Sequence, residues 1–268
     1  MHPILTIAMR AAKKAGDYIS RSYERLDQFD VITKGTNDYV TEVDQNAEQM
    51  ILKILQEKYP EHRYLCEESG ETIGNPDSEF EWVIDPLDGT TNFIHGLPHF
   101  AISLALRRNG IIEQGLIYDP IRQDEFLASR GRGAHLNGRR IRVTAATKLA
   151  GTLLGTGMPF REDQEFIRSA YWATLEDLSQ KTAGIRRGGA AALDMAYVAA
   201  GKLDGFFEFG LKPWDIAAGT LLIKEAGGMV VDPWGGEDYM TSGHVLCANP
   251  KLLKQLIRNM APHLPASR

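Results

Sequence analysis

The run Asp85-Pro86-Leu87-Asp88-Gly89-Thr90-Thr91 follows directly on the apolar residues Trp82-Val83-Ile84. Two carboxylates three residues apart, across a proline-stiffened turn, can aim at one point. The carbonyl of Leu87 lies between them and offers a third hard oxygen. Such oxygen sets suit Mg²⁺, which joins a few carboxylates to a substrate phosphate and keeps several of its waters. Gly89 lets the backbone come close to a ligand. The amides of Gly89, Thr90 and Thr91 can then open a helix and cradle an anion. The bland alternative is an Asp-capped turn, and it suffices for one aspartate better than for two at this spacing.

Other acids fall at comparable places. Glu67 and Glu68 end the apolar run Tyr64-Leu65-Cys66. Asp44 starts a helix in KGTNDYVTEVD, which also holds Lys34 and Asp38. Glu208 sits inside the aromatic strand DGFFEFG and wants a polar partner. Trp214-Asp215 opens an apolar helix, PWDIAAGTLLIKEAGG. Arg186 and Arg187 precede Gly188-Gly189-Ala190-Ala191, a glycine pair at a helix start. Guanidiniums beside a helix N-terminus make a second site for an anion or a polyol. Taken singly, each acid reads as a helix cap or a solvated strand end. Together they place five acids at strand ends or helix starts, beside two glycine-rich helix starts.

The elements that must position these residues follow from periodicity. Helical spacing covers residues 3–25, with Ile4, Ala8, Ala11, Ala15, Tyr18 and Ile19 near one face, and residues 41–59, with Thr41 or Asp44 as cap. Residues 67–80 are polar and read as a loop. From Trp82 to Val143 the pattern is strand-like, with Asn137-Gly138 as a hairpin turn, which predicts an antiparallel meander. After Thr144 strands and helices alternate, with helices over 163–179, 190–200, 215–226 and from 250. The fold class is therefore α/β, with an α+β half over 1–143 and an α/β half over 144–268 packed as one catalytic domain, 1–268.

Composition excludes several classes. The chain has 268 residues, 43% of them hydrophobic, enough for a large core. A net charge of −5 argues against a generic nucleic-acid binder. Arg130, Arg132, Arg139 and Arg140 read as a solvated hairpin rim or as RNA contacts. Two cysteines far apart give no disulfide framework and point to the cytoplasm. No apolar run approaches the roughly 20 residues of a membrane span.

WVIDPLDGTTNF together with PWDIAAGTLLIKEAGG resembles the two signatures of the inositol monophosphatase family, Mg²⁺-dependent and lithium-sensitive phosphatases. The likeness runs from the first helix to the last, and AALDMAYVAAGKLDGFFEFGLKPWD looks like its bacterial SuhB-type branch. The resemblance implies a layered αβαβα sandwich, usually dimeric. It implies that Glu67, Asp85, the carbonyl of Leu87, Asp88 and Asp215 hold Mg²⁺. Thr90, paired with Asp44, would help activate the attacking water, and Glu68 would support the ligands. The amides of Gly89 and Thr90 would take the phosphate. Arg186, Gly189, Ala190, Ala191, Glu208 and Asp215 would meet inositol hydroxyls, and Asp88 would lie against the substrate. Lys34 matches a lysine of the mobile N-terminal loop, with one residue fewer before Asp44 than in animal relatives. Family alternatives include fructose 1,6-bisphosphate, phosphoadenosine nucleotides and histidinol phosphate as substrates. The SuhB-type branch also implies a role in transcription antitermination and ribosomal RNA synthesis, through NusA and RNA polymerase.

Overall fold

The computed structural model of the protein describes residues 2–26, 31–35, 38–70 and 72–266. Helix α1 (Pro3–Tyr23) opens with Pro3 at its first position and His2 accepting from the amide of Ile4. A proline is tolerated there because that N–H has no helical partner. Strands β1 (Val31–Gly35) and β2 (Asp38–Thr41) form an antiparallel hairpin. The side chains of Lys34 and Asp38 lie outside the described residues. Helix α2 (Glu42–Lys58) follows, capped by Thr41. Thr41 Oγ1 accepts from the amide of Val43, while Asp44 reaches back to the amide of Thr41. The sequence offers either residue as cap, and the structure uses both in one reciprocal box.

The first sheet has eight strands: β3 (Arg63–Cys66), β4 (Thr72–Gly74), β5 (Phe80–Asp88), β6 (Ala101–Arg108), β7 (Ile111–Asp119), β8 (Asp124–Ser129), β9 (Gly133–Leu136) and β10 (Arg139–Arg140). Their spatial order is β10-β9-β8-β7-β6-β5-β3-β4. From β5 to β10 it is the antiparallel meander expected from sequence. Two features differ. Strand β3 joins β5 in parallel, and β4 lies within the segment read as loop, with Tyr64 opposite Ile73. Ile73 packs against the core, which overrides the polar character of its neighbours. A short helix, α3 (Thr90–Ile94), leaves the end of β5.

The second sheet has five strands: β11 (Leu153–Thr156), β12 (Gly184–Arg186), β13 (Gly205–Glu208), β14 (Met229–Val231) and β15 (Val245–Ala248), in the order β12-β11-β13-β15-β14. Its helices are α4 (Glu165–Ser179), α5 (Ala191–Ala199), α6 (Pro213–Glu225), α7 (Tyr239–Ser242) and α8 (Pro250–Met260).

Strand alternation explains the layers, because successive side chains face opposite sides of a sheet. On the first sheet, Trp82, Ile84 and Leu104 face α1 and α2, while Val83 and Ala105 face α5 and α6. On the second sheet, Phe206 and Cys247 face α5 and α6, while Phe207 and Leu246 face α4 and α8. The result is helix, sheet, helix, sheet, helix, the αβαβα sandwich. Among the described residues no helix is long and apolar enough to cross a membrane.

Candidate active site

Residues i and i+3 of a regular strand point to opposite faces, so Asp85 and Asp88 should diverge. They converge because β5 is irregular. Asp85 pairs with Ser103 and Asp88 with Ala101, so three steps on β5 match two on β6. The extra residue makes a β-bulge, a device that re-aims side chains near sites. Pro86 sits within it, where a missing N–H removes no ladder bond. The sequence reading of a proline turn thus becomes a bulge inside the strand, with the same convergence.

Asp215 arrives from the second sheet's side. It is the third residue of α6, not its cap, and its Oδ2 accepts from the amide of Lys212 at 2.7 Å. Carboxylate oxygens of Asp85, Asp88 and Asp215 lie within 4.8 Å of one another. Asp85 is buried, 1% exposed. Burial, then the charges of Glu67, Asp88 and Asp215, push its carboxyl well above the ordinary range. Burial and Asp215 do the same to Asp88, although the amide of Ala192 donates to Asp88 Oδ2 at 2.7 Å. Mutual repulsion among carboxylates that cannot all ionise is relieved by a cation in their midst. The donor set is all oxygen, which fits a hard divalent ion.

Around this cluster stand the other expected residues. Thr90 Oγ1 lies 2.9 Å from Asp44 Oδ1 and 3.2 Å from the carbonyl of Leu87, so it is held between α2 and the bulge. The Asp44 carboxyl is pushed up by burial, against the pull of its bonds from Thr41 and Thr90. Gly89 has φ +98°, and a Cβ there would meet the carbonyl of His99 at 3.0 Å and the methyl of Ala190 at 3.2 Å. The bulge therefore turns into α3 only through glycine.

A cleft opens over the cluster, lined by Glu67, Asp88, Thr90, Gly189, Ala191, Glu208 and Asp215. Burial first, then Asp194 and Asp215, push Glu208 up to about 8, with Arg187 and Arg161 pulling the other way. Glu208 covers Gly157, where a Cβ would fall 1.8 Å from its carboxyl carbon. Ala190 is buried behind Gly189 and lies outside the cleft lining. Glu68 lines a neighbouring polar hollow with Gln45, Asn46, Glu48 and Ser69.

Arg187, not Arg186, lines the cleft. Arg186 ends β12 opposite Gly155, and its guanidinium donates to the carbonyl of Ile185. The next side chain in an extended chain points the other way, which carries Arg187 over the Phe160 ring at the cleft wall. Phe160, Arg161 and Leu211 also line the cleft and were not expected. They lie in connections without periodicity, so no pattern in the chain marks them. Glu48, expected nowhere, is a buried acid on the apolar stripe of α2 between Ala47 and Ile51, and that misplaced charge is a readable signal.

The profile of the inositol monophosphatase family matches residues 1–264. The chain is 53% identical to the Nus factor SuhB of Pseudomonas aeruginosa over 268 residues, covering 100% of this chain and 99% of that one. The crystal structure of extragenic suppressor protein suhB from Bartonella henselae superposes with a TM-score of 0.92 at 42% identity, covering 96% and 98%. The inositol monophosphatase of Anabaena superposes with a TM-score of 0.85 at 36% identity, covering 98% and 97%. With the signature segments converging on one acidic cleft and likeness spanning nearly the whole chain, this protein belongs to the inositol monophosphatase family.

Proposed function

We propose that the chain is a Mg²⁺-dependent, lithium-sensitive phosphomonoesterase that hydrolyses inositol 1-phosphate and related polyol phosphates. The observation that carries this reading is the cluster of Asp85, Asp88 and Asp215, with oxygens within 4.8 Å and the carboxyls of Asp85 and Asp88 pushed up by burial and like charge. Glu67, Asp85, the carbonyl of Leu87, Asp88 and Asp215 are the ligands. These residues would hold Mg²⁺, which would supply a water of lowered pKa and offset charge on the phosphate ester. Thr90 directs its proton to Asp44 and so presents a lone pair to the attacking water. Asp44, made more basic by burial, is suited to draw that proton. The amides of Gly89 and Thr90 face the phosphate. Glu68 supports the ligand loop from outside the cleft. Gly189, Ala191, Glu208 and Arg187 bind the polyol, with Arg187 in the part first given to Arg186. Glu208, protonated near neutrality, can donate to one hydroxyl and accept from another.

Phosphate release from inositol 1-phosphate with Mg²⁺, with and without lithium, tests the reading in wild type and Asp88→Asn. Lithium-sensitive release that disappears in the variant supports it. No release from inositol, glycerol or other polyol phosphates refutes it.

A second reading is favoured by the relative at 53% identity that bears the name Nus factor. We propose that the chain also serves, as a cytoplasmic homodimer, in an antitermination complex with NusA and RNA polymerase. Light scattering would give the oligomeric state. Growth rescue by Asp88→Asn in cells lacking the protein would separate this role from hydrolysis.

A further inference from the structure

Helix α2 carries a second buried carboxylate one turn beyond Asp44. Glu48 is 1% exposed. A carboxyl group at that depth is costly unless its hydrogen bonds are made. Among the described residues its three donors come from a single loop. Its oxygens accept from the amide of Glu68 at 2.9 Å, from the amide of Ser69 at 3.0 Å and from the hydroxyl of Ser69. That loop leaves β3 at Cys66, and its first residue is Glu67. The amide of Glu67 donates to the carbonyl of Ile84 on β5 at 3.2 Å. The backbone of Glu67 is thus tied on one side to the strand that carries Asp85, and on the other side to α2.

The same helix face fixes a second part of the site. Asp44 lies four residues earlier and accepts from Thr90 Oγ1. Residues 67 and 90 approach the cleft from different elements, yet both are referenced to one turn of one helix. Rigid support of this kind holds a side chain to the tolerance that a cation site demands.

We infer that Glu48 is a positioning residue for the cation site, clamping the Glu67–Ser69 loop so that the Glu67 carboxylate meets Asp85, Asp88 and Asp215. The inference rests on the metallophosphatase reading given above. Glu48 touches neither substrate nor cation. A clamp that only stabilised the fold would change melting and leave cation affinity alone.

Mn²⁺ binding to the metal-free protein, read by electron paramagnetic resonance, tests this directly. Melting in EDTA and the Mg²⁺ concentration for half-maximal phosphate release complete the measurement. Glu48→Gln keeps the shape but faces one amide with a donor. Glu48→Asp keeps the charge but withdraws it by a methylene, out of reach of both amides. Each variant should weaken Mn²⁺ binding about tenfold, the usual cost of losing a supporting group. Melting in EDTA should fall modestly as the two amides lose an acceptor, and saturating Mg²⁺ should restore most of the rate. Ser69→Ala removes one donor, cannot unfold a core, and should give a smaller weakening of the same sign.

Wild-type affinity in Glu48→Asp with weakened binding in Glu48→Gln would mean that charge, not position, matters, and would overturn the inference. Wild-type affinity in all three variants would overturn it too, while leaving the phosphatase reading intact. A wild-type protein that binds no Mn²⁺ would overturn both together. If Glu48→Gln failed to fold, unchanged affinity in Ser69→Ala would still refute the clamp.

Discussion

The bulge of β5 and the first turn of α6 bring aspartates to the same point by opposite means. On β5 the ladder is broken: an extra residue re-aims Asp85 and Asp88 onto one face. On α6 nothing is broken, since Asp215 occupies a regular third position and one of its oxygens satisfies the amide of Lys212. Asp215 therefore stabilises the helix that carries it, whereas Asp85 and Asp88 are held where burial and like charge oppose them. Asp44 repeats the α6 solution on α2, with Oδ2 on the amide of Thr41 and Oδ1 on Thr90. The cleft thus combines one acid pair opposed by burial and like charge with two acids that reach back, from the third position of a helix, to the amide of its cap residue.

The largest effect should come from the β5 pair. Asp88→Asn should lower phosphate release about a thousandfold, since ion-mediated charge stabilisation of about 4 kcal/mol is lost. The same variant should melt higher than wild type in EDTA near about pH 8, because a neutral amide removes repulsion. A lower melting point would contradict the account of β5. Asp215→Ala should also lose most of its turnover, but its metal-free stability should move the other way, falling by about 1 kcal/mol as the Lys212 amide loses its acceptor. Equal signs for the two variants in a denaturant titration would dissolve the contrast.

Glu208 gives a smaller, pH-dependent effect. Its folded pKa of about 8 lies above the ordinary carboxyl value, so the folded state keeps a proton that the unfolded chain has released. Stability from this group is complete below the unfolded value and is lost as pH rises through about 8. Glu208→Gln should flatten the fall in Tm of the metal-free protein between about pH 5 and 8, and should raise KM for inositol 1-phosphate about tenfold with kcat little changed. The smallest effects separate the two arginines. Arg187→Ala should raise KM about fivefold, the worth of roughly 1 kcal/mol, while Arg186→Ala leaves it unchanged. The reverse result in steady-state kinetics would restore the assignment made from sequence.

The two devices also explain what could be read in the chain. Caps are local: Thr41, Asp44 and the PWD start of α6 announce their helices, and the layers follow from apolar periodicity. The Asn137-Gly138 turn is local too, with both residues at positive φ, 50° and 76°. A bulge is a mismatch between two strands, so only the partner β6 reveals that Asp85 and Asp88 converge by register rather than by a turn. Arg186 and Arg187 could not be told apart without the phase of β12. Residues 72–74 read as polar because, among the described side chains, Ile73 is the apolar one that packs on the core. Arg161 and Phe160 reach the cleft from an irregular segment, where no spacing rule applies.

Helix α6 lies late in the chain, yet it packs on β5, β6, β7, β8 and β9 of the first sheet as well as on α5. Ser103 Oγ of β6 donates to the carbonyl of Trp214 at 3.0 Å, fastening the start of α6 to the neighbour of the bulge. The midpoint of the chain is thus a change of sheet, with the helices that follow it packed back on the first sheet. Separate expression of 1–143 would leave the first sheet without the α5 and α6 layer that covers it, and 144–268 would keep those helices with their sheet-facing sides bare. A protease that cut between the two halves would leave two pieces still held together by that packing.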